Sequence, residues 1–145
     1  MSSSESADRF KIRELVDAYA HCADIRDAEG QIALFTEDTH FVVFMDARSQ
    51  KPSMELNRRE ELAPVFGELN KYEATTHFIG QCTLALDGER ATGETYCIAH
   101  HVSASGENEH FSLLLFVIMM SSQKSRETGF LPSAKSWLIG LTPAP

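Results

Sequence analysis

Apolar and polar positions alternate with a helical period in the first part of the chain. The apolar side chains recur every three or four residues, at Ile12, Leu15, Val16, Tyr19, Cys22 and Ala23. This spacing predicts an amphipathic helix of about four turns that begins after an N-cap at Asp8. We expect residues 1–7, which are rich in serine, to be disordered. The polar run 26–30 predicts the end of the helix.

Two further helices are predicted before residue 70. The apolar segment 31–35 indicates a short helix that ends at the polar run 36–38. A third helix is expected over 57–69, where Asn57 and Glu60 have the spacing of a capping box. Because Pro64 lies inside this segment, the helix is expected either to kink there or to begin later.

One strand is predicted between the second and third helices, and from residue 74 onward the pattern is that of strands. The run 40–45 is apolar on both faces, which is typical of a buried strand. Strands are predicted over 75–86, 90–103 and 109–120, with a hairpin signal at Asp87-Gly88, and a final strand over 136–141. Helices followed by consecutive strands predict an α+β domain, in which about three helices pack on one face of a mostly antiparallel sheet.

Length and charge narrow the class of protein. The chain has 145 residues, which suits a single domain with a full core, and we place this domain at 8–145. The net charge of -8 argues against nucleic acid as a partner and, less strongly, against an anionic membrane surface. The longest apolar run, 113–120, is too short to cross a bilayer as a helix.

The N-terminal residues and the cysteines indicate a compartment. The first residues lack the basic and then apolar pattern of a signal peptide. Cys22, Cys82 and Cys97 have no Cys-x-x-Cys spacing, so we expect reduced thiols rather than disulfides or a zinc ribbon. These features favour a cytoplasmic location.

Histidines in two predicted strands are the candidate catalytic residues. They lie in Thr-Thr-His-Phe-Ile-Gly, which contains His77, and in Gly-Glu-Thr-Tyr-Cys-Ile-Ala-His-His, which ends in His100 and His101. Such a histidine is either a packed core residue or a proton-transfer group, since its ordinary pKa lies near neutrality. Strand alternation places His77, Ile79, Gln81 and Thr83 on one face. Alternation alone leaves open which of His100 and His101 faces inward.

These two runs, with Tyr-Ala-His-Cys-Ala-Asp-Ile-Arg-Asp-Ala-Glu-Gly upstream, resemble the SnoaL-like branch of the nuclear-transport-factor-2-like superfamily. That branch includes scytalone dehydratase and hexachlorocyclohexane dehydrochlorinase. The resemblance covers about residues 8–118. It implies a cone-shaped, cystatin-like fold with helices on a strongly curved sheet and one deep apolar pocket. It also implies chemistry without a cofactor, and a homodimer or homotrimer formed through the sheet.

The resemblance also assigns roles to residues. It implies that His77 is a catalytic base, that Asp24 orients it, and that His101 is a second catalytic histidine. Periodicity alone would make Asp24 a solvated acid, because it lies off the apolar stripe of its helix. We expect the substrate to contact Tyr19, Phe44, Ile79, Gln81 and Tyr96, with a core position as the alternative for Tyr19. A zinc site of His77, His100 and His101 is disfavoured because adjacent strand residues diverge, so no metal is expected.

Three functions are compatible with these residues. The leading hypothesis is a lyase or isomerase in which an Asp-His dyad abstracts a proton from a small apolar, cyclic substrate. The alternatives are a small-ligand-binding protein and a dimerisation module, since one scaffold serves many functions.

The sequence after Met120 departs from the ending that the family usually has. It is either a divergent loop before the final strand or the product of a shifted reading frame.

Overall fold

In the residues that the structure describes, three helices and seven strands form an α+β fold, which confirms the predicted class. The computed structural model describes residues 3–44, 49–105, 108–125, 129–131 and 137–142. The helices are α1 (Ser3–Asp24), α2 (Ala28–Ala33) and α3 (Ala63–Gly67), the last between 3-10 turns at Arg59–Leu62 and Glu68–Lys71. The strands are β1 (Phe41–Phe44), β2 (Met54–Leu56), β3 (Ala74–Asp87), β4 (Arg90–Ser105), β5 (Asn108–Ser125), β6 (Gly129–Leu131) and β7 (Trp137–Thr142).

The strands form one sheet in the order β2-β1-β7-β5-β4-β3, with β6 paired to β5. All the pairings are antiparallel except that of β1 with β7. The predicted final strand is present as β7, and β2 is a strand that the sequence did not predict. In the described part of the chain, no helix has the length and apolar character needed to cross a membrane.

Helix α1 begins earlier than expected. It starts at Ser3, so residues 3–7 are helical rather than disordered. Glu5 in the first turn favours this start because it interacts with the helix dipole, and it also pairs with Arg9 at 3.2 Å. Asp8 is therefore not an N-cap. It is a buried residue inside the helix.

The end of α1 has a defined cap. The N–H of Asp27 donates to the carbonyl of Cys22 (2.9 Å), and the N–H of Arg26 donates to that of Ala23 (3.3 Å). This is the hydrogen-bond pattern of a Schellman motif, with Arg26 in the left-handed region at φ 61°. The helix therefore stops at Asp24, and the chain turns sharply away.

The two short helices also differ from their predicted bounds. Helix α2 begins at Ala28 because the Asp27 side chain accepts a hydrogen bond from the N–H of Gly30 (2.8 Å) and caps it. The segment expected as one helix over 57–69 divides into a 3-10 turn, α3 and a second 3-10 turn. Pro64 lies in the first turn of α3, where its missing N–H costs no hydrogen bond.

A β-bulge in β3 changes which side chains face the helices. Ile79 pairs with Cys97 but Cys82 pairs with Thr95, so β3 carries one extra residue between them. After the bulge, Cys82, Leu84 and Leu86 turn inward, whereas Gln81 and Thr83 are exposed. The single face predicted for His77, Ile79, Gln81 and Thr83 is therefore wrong beyond Ile79.

The core lies between α1 and the inner face of the sheet. Its centre is a cluster of edge-to-face rings 5.8–6.1 Å apart, in which Phe35 and Phe66 join Tyr19 and Phe41. The apolar stripe of α1 covers this cluster, and Ala91, Cys97 and Ala99 line the sheet beneath it. The outer face of β3 and β4 instead exposes Phe78, Tyr96 and Ile98.

Strand β3 lies at the edge of the sheet, and side chains of α1 cover that edge. The guanidinium of Arg9 donates to the carbonyl of Leu84 (2.9 Å), and that of Arg13 to the carbonyl of Gly80 (3.0 Å). The carboxylate of Asp24 accepts a hydrogen bond from the N–H of His77 (3.0 Å). These contacts fix β3 against the helix along much of its length.

Candidate functional site

Asp24 and His77 form a hydrogen-bonded pair at the end of α1. One carboxylate oxygen is 2.7 Å from Nδ1 of the imidazole, and the other accepts the backbone N–H of the same histidine at 3.0 Å. Because an ionised carboxylate only accepts hydrogen bonds, Nδ1 carries the hydrogen, and Nε2 is the basic nitrogen. The two-point attachment fixes both the tautomer and the position of the ring.

The local structure explains how Asp24 reaches this position. Asp24 is the last residue of α1 and lies on the same flank of the helix as Arg13 and Asp17, and this flank faces the edge strand β3 rather than open solvent. His77 lies on an edge strand, so its backbone N–H is directed away from β4 and toward the helix end. The side chain of Asp24 is 27% exposed and that of His77 only 7%. The pair is therefore reached by solvent mainly through its carboxylate.

The register of β3 and β4 shows which of the two adjacent histidines faces inward. His101 pairs with Thr75, on the face that carries His77, and His100 pairs with Thr76 on the opposite face. His101 is 6% exposed, and its ring centroid lies 5.6 Å from that of His77. The structure thus brings Asp24, His77 and His101 together. It excludes a shared metal site for His77, His100 and His101.

The ring of His101 is buried in the core. Within the part of the chain that the structure describes, neither of its ring nitrogens has a partner. The pKa of His101 is lowered to about 4, chiefly by burial and next by the neighbouring His77, while Asp24 opposes the shift. Lys71 and His100 lower it by smaller amounts. At neutral pH this ring is therefore uncharged, with one N–H donor and one acceptor nitrogen.

Cys97 and Tyr19 lie in the buried surroundings of the pair. Burial, and next the charge of Asp24, raise the pKa of the Cys97 thiol to about 12, so it stays protonated and is not a nucleophile. Burial also raises the pKa of the Tyr19 phenol, against a hydrogen bond with Gln31. Tyr19 therefore occupies the core position that was its alternative, packed edge-to-face on Phe35 and Phe66.

Two residues expected to contact the substrate do not reach this cluster. Gln81 follows the bulge and is exposed, and Tyr96 lies on the outer face of β4, so neither lines the inner face. Ile79 is half-buried on the inner face beside His77. The side chain of Phe44 lies outside the described residues.

A cleft of about 340 Å³ opens at the dyad, between α1 and β3. Arg13, Ala20 and His21 line its helix side, and Phe78 and Ile79 flank Asp24 and His77. A second cleft, of about 630 Å³, is polar and shares no residue with the first. It lies around Glu37, Asp38 and the 3-10 turn that begins at Arg59. The described residues contain no group of three histidine, cysteine or acidic side chains arranged to hold a metal ion.

Tyr72 and Arg26 belong to the site but carry no motif. The Tyr72 ring packs on that of His101 with centroids 4.5 Å apart, and its carbonyl accepts a hydrogen bond from Arg26 at 2.8 Å. The only signal in the sequence is an aromatic residue just before the strand that carries His77. The contacts arise from pairing between distant segments, which local patterns do not contain.

Solved structures with similar folds are known. A candidate scytalone dehydratase from Novosphingobium aromaticivorans superposes with a TM-score of 0.80 at 16% identity, covering 99% of this chain and 89% of that one. An NTF2-like protein with a cystatin-like fold, also from Novosphingobium aromaticivorans, gives 0.74 at 22%, covering 98% and 86%. A candidate dehydratase of the NTF2-like family from Streptomyces avermitilis gives 0.73 at 11%, covering 96% and 99%.

The sequence also matches a family model. No curated protein sequence matches the chain. The model of the SnoaL-like domain, however, matches residues 4–121, which is most of the chain. Together with the similar folds, this match confirms the resemblance deduced from the histidine-containing strands. The chain belongs to the SnoaL-like family and has the cystatin-like fold of NTF2-like proteins.

Proposed function

We propose that this protein is a cofactor-independent lyase or isomerase that acts on a small, mostly apolar, cyclic substrate. The observation that carries the proposal is the double hydrogen bond of Asp24 to His77, with a second buried histidine 5.6 Å away. A histidine oriented by a carboxylate is suited to take a proton, because the carboxylate stabilises the imidazolium that forms.

In this mechanism Nε2 of His77 takes a proton from carbon. The electron pair of the broken C–H bond forms a C=C bond, and the bond from the neighbouring carbon to its leaving group breaks, with its electron pair going to the leaving group. A hydroxide takes up the proton held by His77 and departs as water, whereas a halide departs as the anion and His77 then releases its proton to solvent. In the isomerase variant the double bond shifts instead, and the proton returns to another carbon. Asp24 accepts the hydrogen bond from Nδ1 throughout and holds the protonated ring.

His101 has a narrower role than a general acid. Because its pKa is lowered to about 4, it is uncharged at neutral pH and does not act as an imidazolium. Its N–H instead donates a hydrogen bond to a carbonyl or leaving-group oxygen of the substrate, where negative charge develops. A substrate oxygen there would also provide a partner for a ring that has none among the described residues.

The relatives support the reaction class only in general terms. Two of the similar structures are candidate dehydratases, at 16% and 11% identity, where likeness extends to the fold alone. Support for the proposed chemistry therefore comes from the residues of this chain.

The test is turnover of a panel of cyclic β-hydroxy ketones and chlorinated cyclohexanes by wild type and His77→Ala. We expect the variant to lose about 10²–10⁴-fold in kcat/KM, the usual contribution of a general base. The matched control is His40→Ala. This variant removes a histidine that lies away from the dyad and whose Nε2 is 2.8 Å from a carboxylate oxygen of Glu55. Equal turnover by wild type and folded His77→Ala would refute the assignment.

Non-catalytic ligand binding is the second candidate. The His101 nitrogens, which have no hydrogen-bond partner in the described part of the chain, favour it as much as they favour catalysis. The two functions separate in Asp24→Asn. In an enzyme this variant loses turnover while keeping most of its affinity for a substrate or product. A pure binding protein shows no turnover in either form, and calorimetry detects similar affinities.

The exposed side chains of the outer sheet face support a homodimer or homotrimer formed there. Phe78 is 66% exposed, and Tyr96 and Ile98 lie beside it on β4. Burial of such a patch against a second copy would remove apolar surface from water.

A further inference from the structure

We propose that Tyr72 and Arg26 are positioning residues that hold His101 in place relative to the dyad. The ring of Tyr72 packs against His101, and Arg26 ties the backbone of Tyr72 to the helix end that carries Asp24. The role assigned to His101 rests on the proposed function, whereas the contacts themselves can be tested without it.

Packing rather than hydrogen bonding sets the orientation of His101. Its two ring nitrogens lack hydrogen-bond partners among the described residues, so no polar contact there fixes the rotation of the ring. The Tyr72 ring lies 4.5 Å from it, centroid to centroid, at an interplanar angle of 38°. This is closer than the 5.6 Å to His77. Removing the aromatic face of Tyr72 would therefore free the imidazole to turn and admit water beside it.

Besides the local hydrogen bond from the N–H of Tyr72 to the carbonyl of Leu69 (3.1 Å), two contacts join the segment that carries Tyr72 to β4 and to α1. The N–H of Glu73 donates to the carbonyl of Val102 (2.8 Å), next to His101 on β4. The guanidinium of Arg26 donates to the carbonyl of Tyr72 (2.8 Å). The first contact continues the pairing of β3 with β4, and the second links this segment to α1.

Arg26 occupies a backbone position that favours glycine. Its φ of 61° lies in the left-handed region, which an arginine adopts only at a cost. Glycine would close the Schellman motif without that cost but would leave the carbonyl of Tyr72 without the guanidinium. The arginine therefore adopts a strained backbone conformation, and its side chain in return contacts the segment that packs on His101.

The end of α1 thus carries two connections to the site. One runs from the Asp24 carboxylate to His77. The other runs from Arg26 through the Tyr72 carbonyl and ring to His101. Because both start within three residues of one helix end, they set the separation of the two imidazoles. A cap that served only to end the helix would need no such side chain.

The test follows the ring of His101 by NMR in wild type, Tyr72→Leu, Tyr72→Phe, Arg26→Gly and Arg26→Lys. In Tyr72→Leu the ring-current shift of the His101 protons should disappear, and the pKa of His101 should rise by about one unit or more toward its ordinary value. Tyr72→Phe keeps the aromatic face and should match wild type. The other groups whose charges shift the pKa of His101, namely His77, Asp24, Lys71 and His100, are unchanged in these variants.

Arg26→Gly distinguishes positioning from capping. Because glycine suits the left-handed position, the variant should melt no lower than wild type. It should nevertheless shift the His101 resonances in the same direction as Tyr72→Leu, and Arg26→Lys should shift them less. An unchanged His101 spectrum and pKa in either Tyr72→Leu or Arg26→Gly would overturn the assignment.

Kinetics separate this proposal from the proposed function. If the protein turns over a substrate, Tyr72→Leu and Arg26→Gly should lower kcat about tenfold or more, with a smaller change in KM. Loss of positioning is then visible in both the spectra and kcat. If no panel substrate is turned over, the proposed function fails, and the spectra still decide the role of Tyr72 and Arg26.

Discussion

Acidification should destabilise this protein through His101 before most of its carboxylates are protonated. The folded protein holds the pKa of His101 at about 4, whereas the unfolded chain restores the ordinary value of 6.5. Between these values the unfolded chain binds more protons than the folded one. The free energy of unfolding is therefore unaffected by His101 above the unfolded pKa, and it falls as the pH drops from there toward the folded pKa.

The magnitude follows from the two pKa values. Each unit of difference corresponds to about 1.4 kcal/mol. Integrated from about pH 8 to about pH 5, the linkage lowers the free energy of unfolding by about 2 kcal/mol on account of His101 alone. This is a large share of the roughly 5–15 kcal/mol that stabilises a typical domain.

Urea denaturation of wild type and His101→Leu across this pH range measures the effect. The leucine variant lacks the titrating ring. Between about pH 8 and about pH 5 its free energy of unfolding should therefore fall by about 2 kcal/mol less than that of wild type. Subtracting the two curves cancels the carboxylates, which titrate in both proteins. His40→Leu, at a less buried histidine, is the matched control. Parallel curves for wild type and His101→Leu would refute the reasoning, because they would mean that the buried ring titrates normally.

Three substitutions test other features of the fold. Gly88→Ala should lower stability by about 1 kcal/mol in thermal unfolding, since φ at the β3–β4 turn is 58° and alanine disfavours it. Asp27→Ala should cost about 1 kcal/mol in the same assay, because the N–H of Gly30 loses its cap, whereas Asp27→Asn should restore most of it. Phe35→Ala should lower the free energy of unfolding in urea by about 3–5 kcal/mol, as it empties the middle of the aromatic cluster; a loss under 1 kcal/mol would contradict its central position.

The sequence predicted helices and strands well wherever the spacing of apolar residues stays constant along the element. The stripe of α1 and the Asp87-Gly88 hairpin are local patterns, and the structure has both, although β1 and β2 come before α3 in the chain. The prediction failed at the bulge, because one inserted residue reverses the facing of every side chain after it. Gln81 was therefore expected inside and lies outside. Gly80 beside it was the available hint, since glycine in a strand often marks a bulge.

Only part of the candidate site could be predicted from the sequence. Resemblance identified Asp24 and His77, although the helical period argued against Asp24. The period failed there because it treats positions off the apolar stripe as solvated, whereas this flank of α1 faces the edge of β3. The choice between His100 and His101 needed the register of β3 with β4. Tyr72 and Arg26 could not be predicted, because their roles depend on contacts between segments about 30 to 50 residues apart.

The hydrogen bond between Asp24 and the backbone of His77 has a consequence for solubility. An unpaired edge strand offers its N–H and C=O groups to the strands of other molecules, which is a route to aggregation. On β3, Asp24 occupies one of these N–H groups, and Arg9 and Arg13 occupy carbonyls further along. The carboxylate that orients the imidazole therefore also shields the edge of the sheet from pairing with another molecule. A chain that loses Asp24 gives up both its oriented histidine and part of its protection against edge-to-edge association.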